Sequence, residues 1–299
     1  MALGKSSGGI QLVTVTYFKE KKKMKKAILA LLLSATMLCA GLVSGAAASD
    51  INLAKTSTLQ QILDRGEIRI GFDVGYVPFE MSDKKGNFVG FDIDMAKMMA
   101  RAMGVKFVPV NTAWDGIIPA LVTEKLDIIV AGMTITQERN LKVNFADPYI
   151  IVGQTVILNG KHKDSVKSYK DLNDPKYTIT SKLGTTGEMA VKRLMPKAKY
   201  KSFEDATEAA LEVASGRADA FIYDLPTCAA FQARQGANAK TVFLDQPFTY
   251  EPLAFAIRKG DPDFLNWLNN FLRQIKHDGR YDKMYNKWMR GADWLKLIE

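Results

Sequence analysis

The sequence predicts an α/β protein of two lobes, each built on a mixed, largely parallel sheet flanked by helices, and three observations carry that prediction. From about Thr58 onward, short apolar runs of strand length alternate with amphipathic helical segments, which is the pattern of βαβ units. The alternation restarts after Tyr149 and repeats in style. In both halves a helix passes through a short charged joint into a strand, at Lys125-Leu126-Asp127-Ile128 and at Gly216-Arg217-Ala218-Asp219-Ala220-Phe221. Each half therefore delivers a loop at the carboxyl end of its sheet, where open α/β sheets hold ligands.

Taken in order, Leu59 to Arg65 reads as a short helix and Ile68 to Phe72 as a strand. Asp92 reads as the N-cap of a helix running to Met103, because a short acidic side chain before an apolar-periodic segment can accept from the free amides of the first turn. Lys106 to Val110 is a strand, Asp115 to Glu124 a helix and Asp127 to Ala131 a strand. The second series comprises Thr155 to Leu158, Tyr177 to Thr180, the helix Thr186 to Leu194, Lys199 to Ser202, the helix Ala206 to Ser215 and the strand Ala220 to Tyr223. Leu253 to Ile257 reads as one more strand, and Asp263 to Met289 as helical. Phe264, Trp267, Leu268, Phe271 and Ile275 fall there at helical spacing and are expected in the core. The first lobe is expected to take residues 49–150 and 251–299 and the second lobe residues 151–250, with crossings near Tyr149 to Gly153 and Phe248 to Pro252.

Residues 1–48 are expected to be an N-terminal extension and an export signal. Met24, Lys25 and Lys26 form a charged start, Ala27 to Val43 an apolar run, and Ala46-Ala47-Ala48 an A-x-A cleavage site. Met24 is the more natural start of translation, and residues 1–23 look like no targeting element. Met37 and Leu38 stand where a lipobox wants small residues before Cys39, so a soluble periplasmic product is expected. The net charge of +9 is concentrated in this leader, which holds seven lysines and one glutamate. The remainder has 34 basic and 31 acidic groups, a net of +3, and does not call for nucleic acid. Cys228 alone survives cleavage, which excludes an internal disulfide.

The stretch Asp127 to Tyr149 carries the clearest chemistry. After the apolar run ends at Gly132, Thr134, Thr136 and Arg139 crowd into one turn. Small residues let the backbone approach a ligand, hydroxyls and free amides donate to it, and an arginine fork matches a carboxylate with two parallel bonds. Catalytic signatures are sparse beside it. Gly4-Lys5-Ser6-Ser7-Gly8 spells G-x-S-x-G in the leader and follows no strand. His162 and His277 lie in charged stretches, so neither a zinc site nor a histidine-based triad can be assembled. No cofactor and no metal are expected.

Ordered along the chain, the pattern Ile70-Gly71-Phe72-Asp73 with Tyr76-Val77-Pro78-Phe79-Glu80, Gly90-Phe91-Asp92-Ile93-Asp94, Trp114-Asp115-Gly116-Ile117-Ile118-Pro119-Ala120-Leu121, Gly132 to Arg139, Gly184-Thr185-Thr186-Gly187 and Asp219 to Asp224 resembles the periplasmic amino-acid-binding proteins of ABC importers, family 3 of the solute-binding proteins. It looks most like their glutamine-binding and lysine/arginine/ornithine-binding members, and the resemblance covers Thr58 to Met289. It implies the type II periplasmic-binding-protein fold with two hinge strands. It also implies that Arg139, Thr134 and the backbone at Gly132 clamp an α-carboxylate, with Thr186 donating from the opposite lobe and Met133 and Thr185 beside them among the ligand-binding residues. Asp224 would hold the α-ammonium, and Tyr76 and Trp114 would wall the side chain. Asp73 and Lys182 would contact the ligand's far end or the opposing lobe.

The residues also fit those roles on physical grounds, since a zwitterion leaving water needs a paired cation and a paired anion. The expected function is a monomeric receptor that closes on a polar L-amino acid, basic or amide, and presents it to an inner-membrane ABC permease. Asp73 is expected to favour a positive or donor-bearing far end. The rival reading is an enzyme resembling periplasmic cyclohexadienyl dehydratase, which eliminates water and carbon dioxide from prephenate or arogenate. That chemistry wants an acid poised to donate a proton, and no spare acid is expected in the cleft.

Overall fold

The computed structural model describes Lys23, residues 57–236 and residues 239–298. The export signal from Met24 to Ala48 and Cys39 lie outside the described residues. Helix α1 (Thr58–Arg65) leads into β1 (Glu67–Phe72), the hairpin β2 (Met81–Ser82) and β3 (Phe88–Val89), α2 (Phe91–Met103), β4 (Lys106–Asn111), α3 (Trp114–Val122), β5 (Ile128–Ile129), α4 (Gln137–Asn140) and β6 (Asn144–Phe145). The chain then runs through β7 (Ile150–Val152) into β8 (Gln154–Asn159), β9 (Thr178–Lys182), α5 (Thr186–Leu194), β10 (Lys199–Phe203), α6 (Ala206–Ala214), β11 (Ala220–Asp224), α7 (Leu225–Gln235) and β12 (Thr241–Leu244). It returns through β13 (Glu251–Leu253) to β14 (Ala256–Ile257) and ends in α8 (Pro262–His277), α9 (Arg280–Tyr285), a π-helical turn at Asn286–Arg290 and α10 (Leu295–Ile298).

Two five-stranded sheets result, in the orders β4-β1-β5-β14-β6 and β10-β9-β11-β8-β12. Each has a parallel half, β4-β1-β5 and β10-β9-β11, extended by antiparallel strands. Both sheets are mixed. The central strands β8 and β11 are buried along their whole length, so their apolar middles, Val156 to Leu158 and Ala220 to Tyr223, show no alternation. Strands β7 and β13 pair with each other as a separate antiparallel ribbon, Leu253 opposite Ile150, at the two places where the chain passes between the sheets.

The aromatic stripe of α8 settles into the core of the first lobe: Phe264, Leu268, Phe271 and Ile275 are buried beside Phe91, Phe255 and Trp288. Asp261 caps this helix by accepting from Phe264 N at 3.0 Å, and it also receives Ser57 Oγ at 2.9 Å. One carboxylate thereby fastens Ser57, at the start of α1, to the last long helix. Another, Asp127, is wholly shielded and receives Arg65 and Arg69.

Several sequence expectations need correction. Gly90, not Asp92, precedes α2: its φ is +140°, and a Cβ there would lie 2.0 Å from the Phe79 carbonyl. Asp92 falls inside the first turn, fully buried. The strand expected over Asp127 to Ala131 is regular only at Ile128–Ile129, and the one expected over Leu253 to Ile257 is divided between β13 and β14. The helical tail breaks at Gly279, where φ is +80°. Helix α7 is absent from the sequence expectation, although Pro226 in its first turn is a start signal.

Replacing Phe264 by alanine should lower the unfolding free energy by about 3–5 kcal/mol, read from urea denaturation. Asn266→Ala on the exposed face of the same helix should change it by less than about 0.5 kcal/mol. Equal effects would mean that α8 is not held by this stripe.

Candidate functional site

The carboxyl ends of the parallel strands in the two sheets meet in one cleft. On the first-lobe side, β5 runs into Gly132, whose φ of +53° and close approach to Tyr76 both require glycine, since a Cβ would lie 2.1 Å from the tyrosine ring. The loop beyond is stitched to the returning interlobe strand by a bridge between Thr134 and Leu253 and by Ile135 N donating to Pro252 O at 2.9 Å. Thr136 caps α4 by accepting from Arg139 N at 3.1 Å, which turns the Arg139 side chain inward. Its guanidinium is buried, with NH1 donating to Thr134 O at 2.9 Å and NH2 reaching Gly184 O of the other lobe at 3.2 Å. Burial pulls the pKa of Arg139 down, and Glu251 and Asp224 oppose that pull. Trp114 lies 5.1 Å from the guanidinium.

On the second-lobe side, β9 ends in Lys182. Thr185 caps α5: its hydroxyl accepts from Glu188 N at 3.5 Å and donates to Lys182 O at 2.7 Å. Thr186, the first residue of α5, receives Gln154 Nε2 at 3.2 Å. This helix start lines the cleft, and the free amides of a helix N-terminus suit an anion. Strand β11 ends in Asp224, which precedes α7 but makes no side-chain cap bond. Its carboxylate turns into the cleft instead, receiving Tyr76 OH on Oδ2 and Gln154 Nε2 on Oδ1, both at 2.6 Å. Burial raises its pKa to about 7, with the Tyr76 bond acting the other way.

The lobes are shut on each other. Besides Tyr76 to Asp224 and Arg139 to Gly184, Trp114 Nε1 donates to Gly184 O at 3.0 Å, Thr227 Oγ1 to Val77 O at 2.7 Å, and Lys182 Nζ to Asp73 Oδ2 at 2.5 Å. Between them remains a cavity of only about 20 Å³. Of the sequence-predicted residues, Asp73, Tyr76, Trp114, Gly132, Thr134, Arg139, Lys182, Thr185, Thr186 and Asp224 line it.

Met133 does not. Its side chain is buried among Phe72, Ile117 and Ile129 in the first-lobe core, and its carbonyl receives Ala254 N. Asp73 is not a free carboxylate either, because the opposing lobe supplies Lys182 to it. Tyr76 stacks on Phe79 at 4.5 Å while its hydroxyl crosses the cleft to Asp224.

The sequence reading missed Glu80, Gln154 and Tyr223, which also line the cavity. Glu80 corrects the expectation that the cleft holds no spare acid. A tight turn, with Glu80 N donating to Tyr76 O at 3.0 Å and Gly75 N to Glu80 O at 3.1 Å, directs its side chain inward. It is buried, and its Oε2 has no hydrogen-bond partner among the described residues. Burial raises its pKa well above the usual carboxylate range, Asp92 and Asp73 add to the rise, and Lys182 opposes it. The cleft thus holds three carboxyl groups, Asp73, Glu80 and Asp224, against two basic groups, Arg139 and Lys182.

Residues 68–291 match the bacterial extracellular solute-binding proteins, family 3. A protein of Wolinella succinogenes, described as a binding component of an ABC transporter and solved with lysine, is 56% identical with a TM-score of 0.75 and covers 78% of this chain and 99% of its own. An ancestral amino-acid-binding protein, described as a precursor of cyclohexadienyl dehydratase, is 52% identical with a TM-score of 0.74 and covers 78% of this chain and 100% of its own. The ABC transporter glutamine-binding protein of Bacillus subtilis is 32% identical over 243 residues, which is 79% of this chain and 86% of that protein. With the match spanning most of both sheets and every strand end that enters the cleft, the chain belongs to family 3 of the bacterial extracellular solute-binding proteins.

Proposed function

We propose that the protein is an exported, monomeric receptor that closes its lobes around one L-amino acid with a cationic side chain and delivers it to an inner-membrane ABC permease. In this reading cleavage near Ala48 releases it into the periplasm, residues 49–150 and 251–299 form the first lobe, and residues 151–250 form the second. Arg139, with Thr134 and the start of α5 at Thr185 and Thr186, takes the α-carboxylate. Asp224 takes the α-ammonium, and Tyr76 and Trp114 flank the side chain.

The observation that carries the choice of ligand is Glu80. Once Arg139 and Asp224 hold the zwitterion and Lys182 holds Asp73, the charge left over is the buried, unpartnered carboxyl of Glu80. An uncompensated buried charge costs several kcal/mol, so lysine or arginine supplies what the cleft lacks. Glutamine supplies only an amide donor, and glutamate adds a like charge. The lysine complex of the Wolinella relative supports this ordering, whereas the Bacillus relative is a glutamine-binding protein.

One observation favours a second reading. A neutral carboxylic acid in a cleft can donate a proton, and the ancestral relative is described as a precursor of a dehydratase. Aromatic product formed from prephenate or arogenate by the purified protein would establish that reading in place of transport.

Titration calorimetry of Glu80→Gln should show lysine and arginine weakened by about 1.5–3 kcal/mol, the range for a hydrogen bond to a charged group, with glutamine changed by less than about 1 kcal/mol. Equal losses for all three would remove Glu80 as the selector of charge. Arg139→Ala should weaken every ligand by about 2–5 kcal/mol, and Arg139→Lys should recover little of that, since an ammonium cannot make the two-pronged contact. Near-normal affinity in the alanine variant would remove Arg139 from the site.

A further inference from the structure

We infer that Asp92 is a positioning residue for the carboxylate clamp, holding the Gly132 amide, and with it the loop that carries Thr134 and Arg139, against the hydroxyl of Tyr149 beside the first interlobe strand. The inference rests on the reading of Arg139 as that clamp.

Asp92 is wholly buried in the first turn of α2 and pairs with no basic side chain among the described residues. Its Oδ2 accepts from Gly132 N at 2.7 Å and from Tyr149 OH at 2.8 Å, and Gly132 N also lies 3.1 Å from the Tyr149 oxygen. Its Oδ1 has no partner among the described residues. A carboxylate buried without a cation is a costly way to fill space, and an apolar side chain would fill it more cheaply. The start of α2 lessens that cost through its dipole. What the carboxylate secures is one backbone amide at a point of little freedom.

Gly132 sits at φ +53°, in van der Waals contact with the Tyr76 ring. A small displacement of Gly132 therefore moves both the loop leading to Arg139 and the ring whose hydroxyl reaches Asp224. The second donor belongs to the hinge. Tyr149 N donates to Leu253 O at 3.0 Å, and Leu253 bridges to Thr134. Gly132, Tyr149, Leu253 and Thr134 thus form a closed ring of contacts, with Asp92 as its fixed acceptor.

The test compares L-lysine with L-lysinamide, in which a neutral amide replaces the α-carboxylate, by calorimetry on the mature protein. The unmutated protein should prefer lysine by a factor on the order of 100, the worth of a charge-assisted two-pronged contact. Asp92→Ala should shrink that preference by about tenfold, the loss of one hydrogen bond. Asp92→Asn should restore it to within about threefold, because the amide oxygen accepts the same two bonds. Tyr149→Phe, which removes the second donor without opening a cavity, should shrink it by about threefold.

A purely structural role would lower the melting temperature, or weaken both ligands alike, and leave the preference where it was. A folded Asp92→Ala that keeps the full preference overturns the inference. Should that variant fail to fold, an unchanged preference in Tyr149→Phe does the same. If the unmutated protein itself does not distinguish lysine from lysinamide, the clamp reading of Arg139 falls and carries this inference with it.

Discussion

An ion removed from water into a closed protein interior needs a counter-charge, and in this molecule that requirement governs the cleft. With the lobes shut, Arg139, Lys182, Glu80 and Asp224 are all buried. Two of the hydrogen bonds that cross the cleft engage its carboxylates: Lys182 with Asp73, and the Tyr76 hydroxyl with Asp224. They make closure possible for the protein's own charges but leave the site one positive charge short. A ligand that completes the set stabilises the closed arrangement by its differential contacts with the two lobes, which is how a small molecule can shift a hinge equilibrium.

The scaffold puts those charges in place with backbone more than with side chains. Both parallel half-sheets aim their carboxyl ends at the same space, so Asp73 follows β1, Gly132 follows β5, Lys182 ends β9 and Asp224 ends β11. Glycines at positions 90 and 132 allow contacts that a Cβ would forbid, Gly90 against the Phe79 carbonyl and Gly132 against Tyr76. The loop that carries Arg139 is bonded to β13 near Pro252 and Leu253, one of the two strands linking the sheets. The site and the hinge are consequently parts of one hydrogen-bonded unit.

Much of this is legible in the sequence, and what is not has physical reasons. Arg139, Asp224 and the Gly184 to Thr186 turn stand out because residues of those types, in loops after strands, have few structural duties there. Glu80 belongs to a motif that the sequence reading quotes, yet its direction depends on a turn closed by Gly75 and Tyr76, and periodicity carries no information about such a turn. Gln154 opens a buried strand, and a polar first residue looks the same in sequence whether it points to water or to Asp224. Asp92 satisfies the pattern of an N-cap, but the tight approach of Gly90 to Phe79 starts the helix earlier and carries the carboxylate inside. Met133 lies in the loop between two cavity residues, Gly132 and Thr134, and its side chain turns back to the core. Asp73 is the converse case. Its place in the cleft is readable, whereas its neutralisation by Lys182, 109 residues further along the chain, is a matter of tertiary structure.

The charge balance of the closed cleft is open to measurement by counting the protons exchanged on binding. Burial raises the pKa of Glu80, so a cleft closed around a neutral ligand holds this group protonated at a pH where it is ionised in open solution. A cationic side chain supplies the missing partner and keeps Glu80 ionised. Binding of glutamine should therefore take up a proton that binding of lysine does not, in the window above the ordinary glutamate value and below the raised one. Calorimetry of the unmutated protein at several pH values across that window, in buffers of different ionisation enthalpy, measures the difference. The account predicts that uptake with glutamine exceeds uptake with lysine by about one proton; equal counts for the two ligands would contradict it.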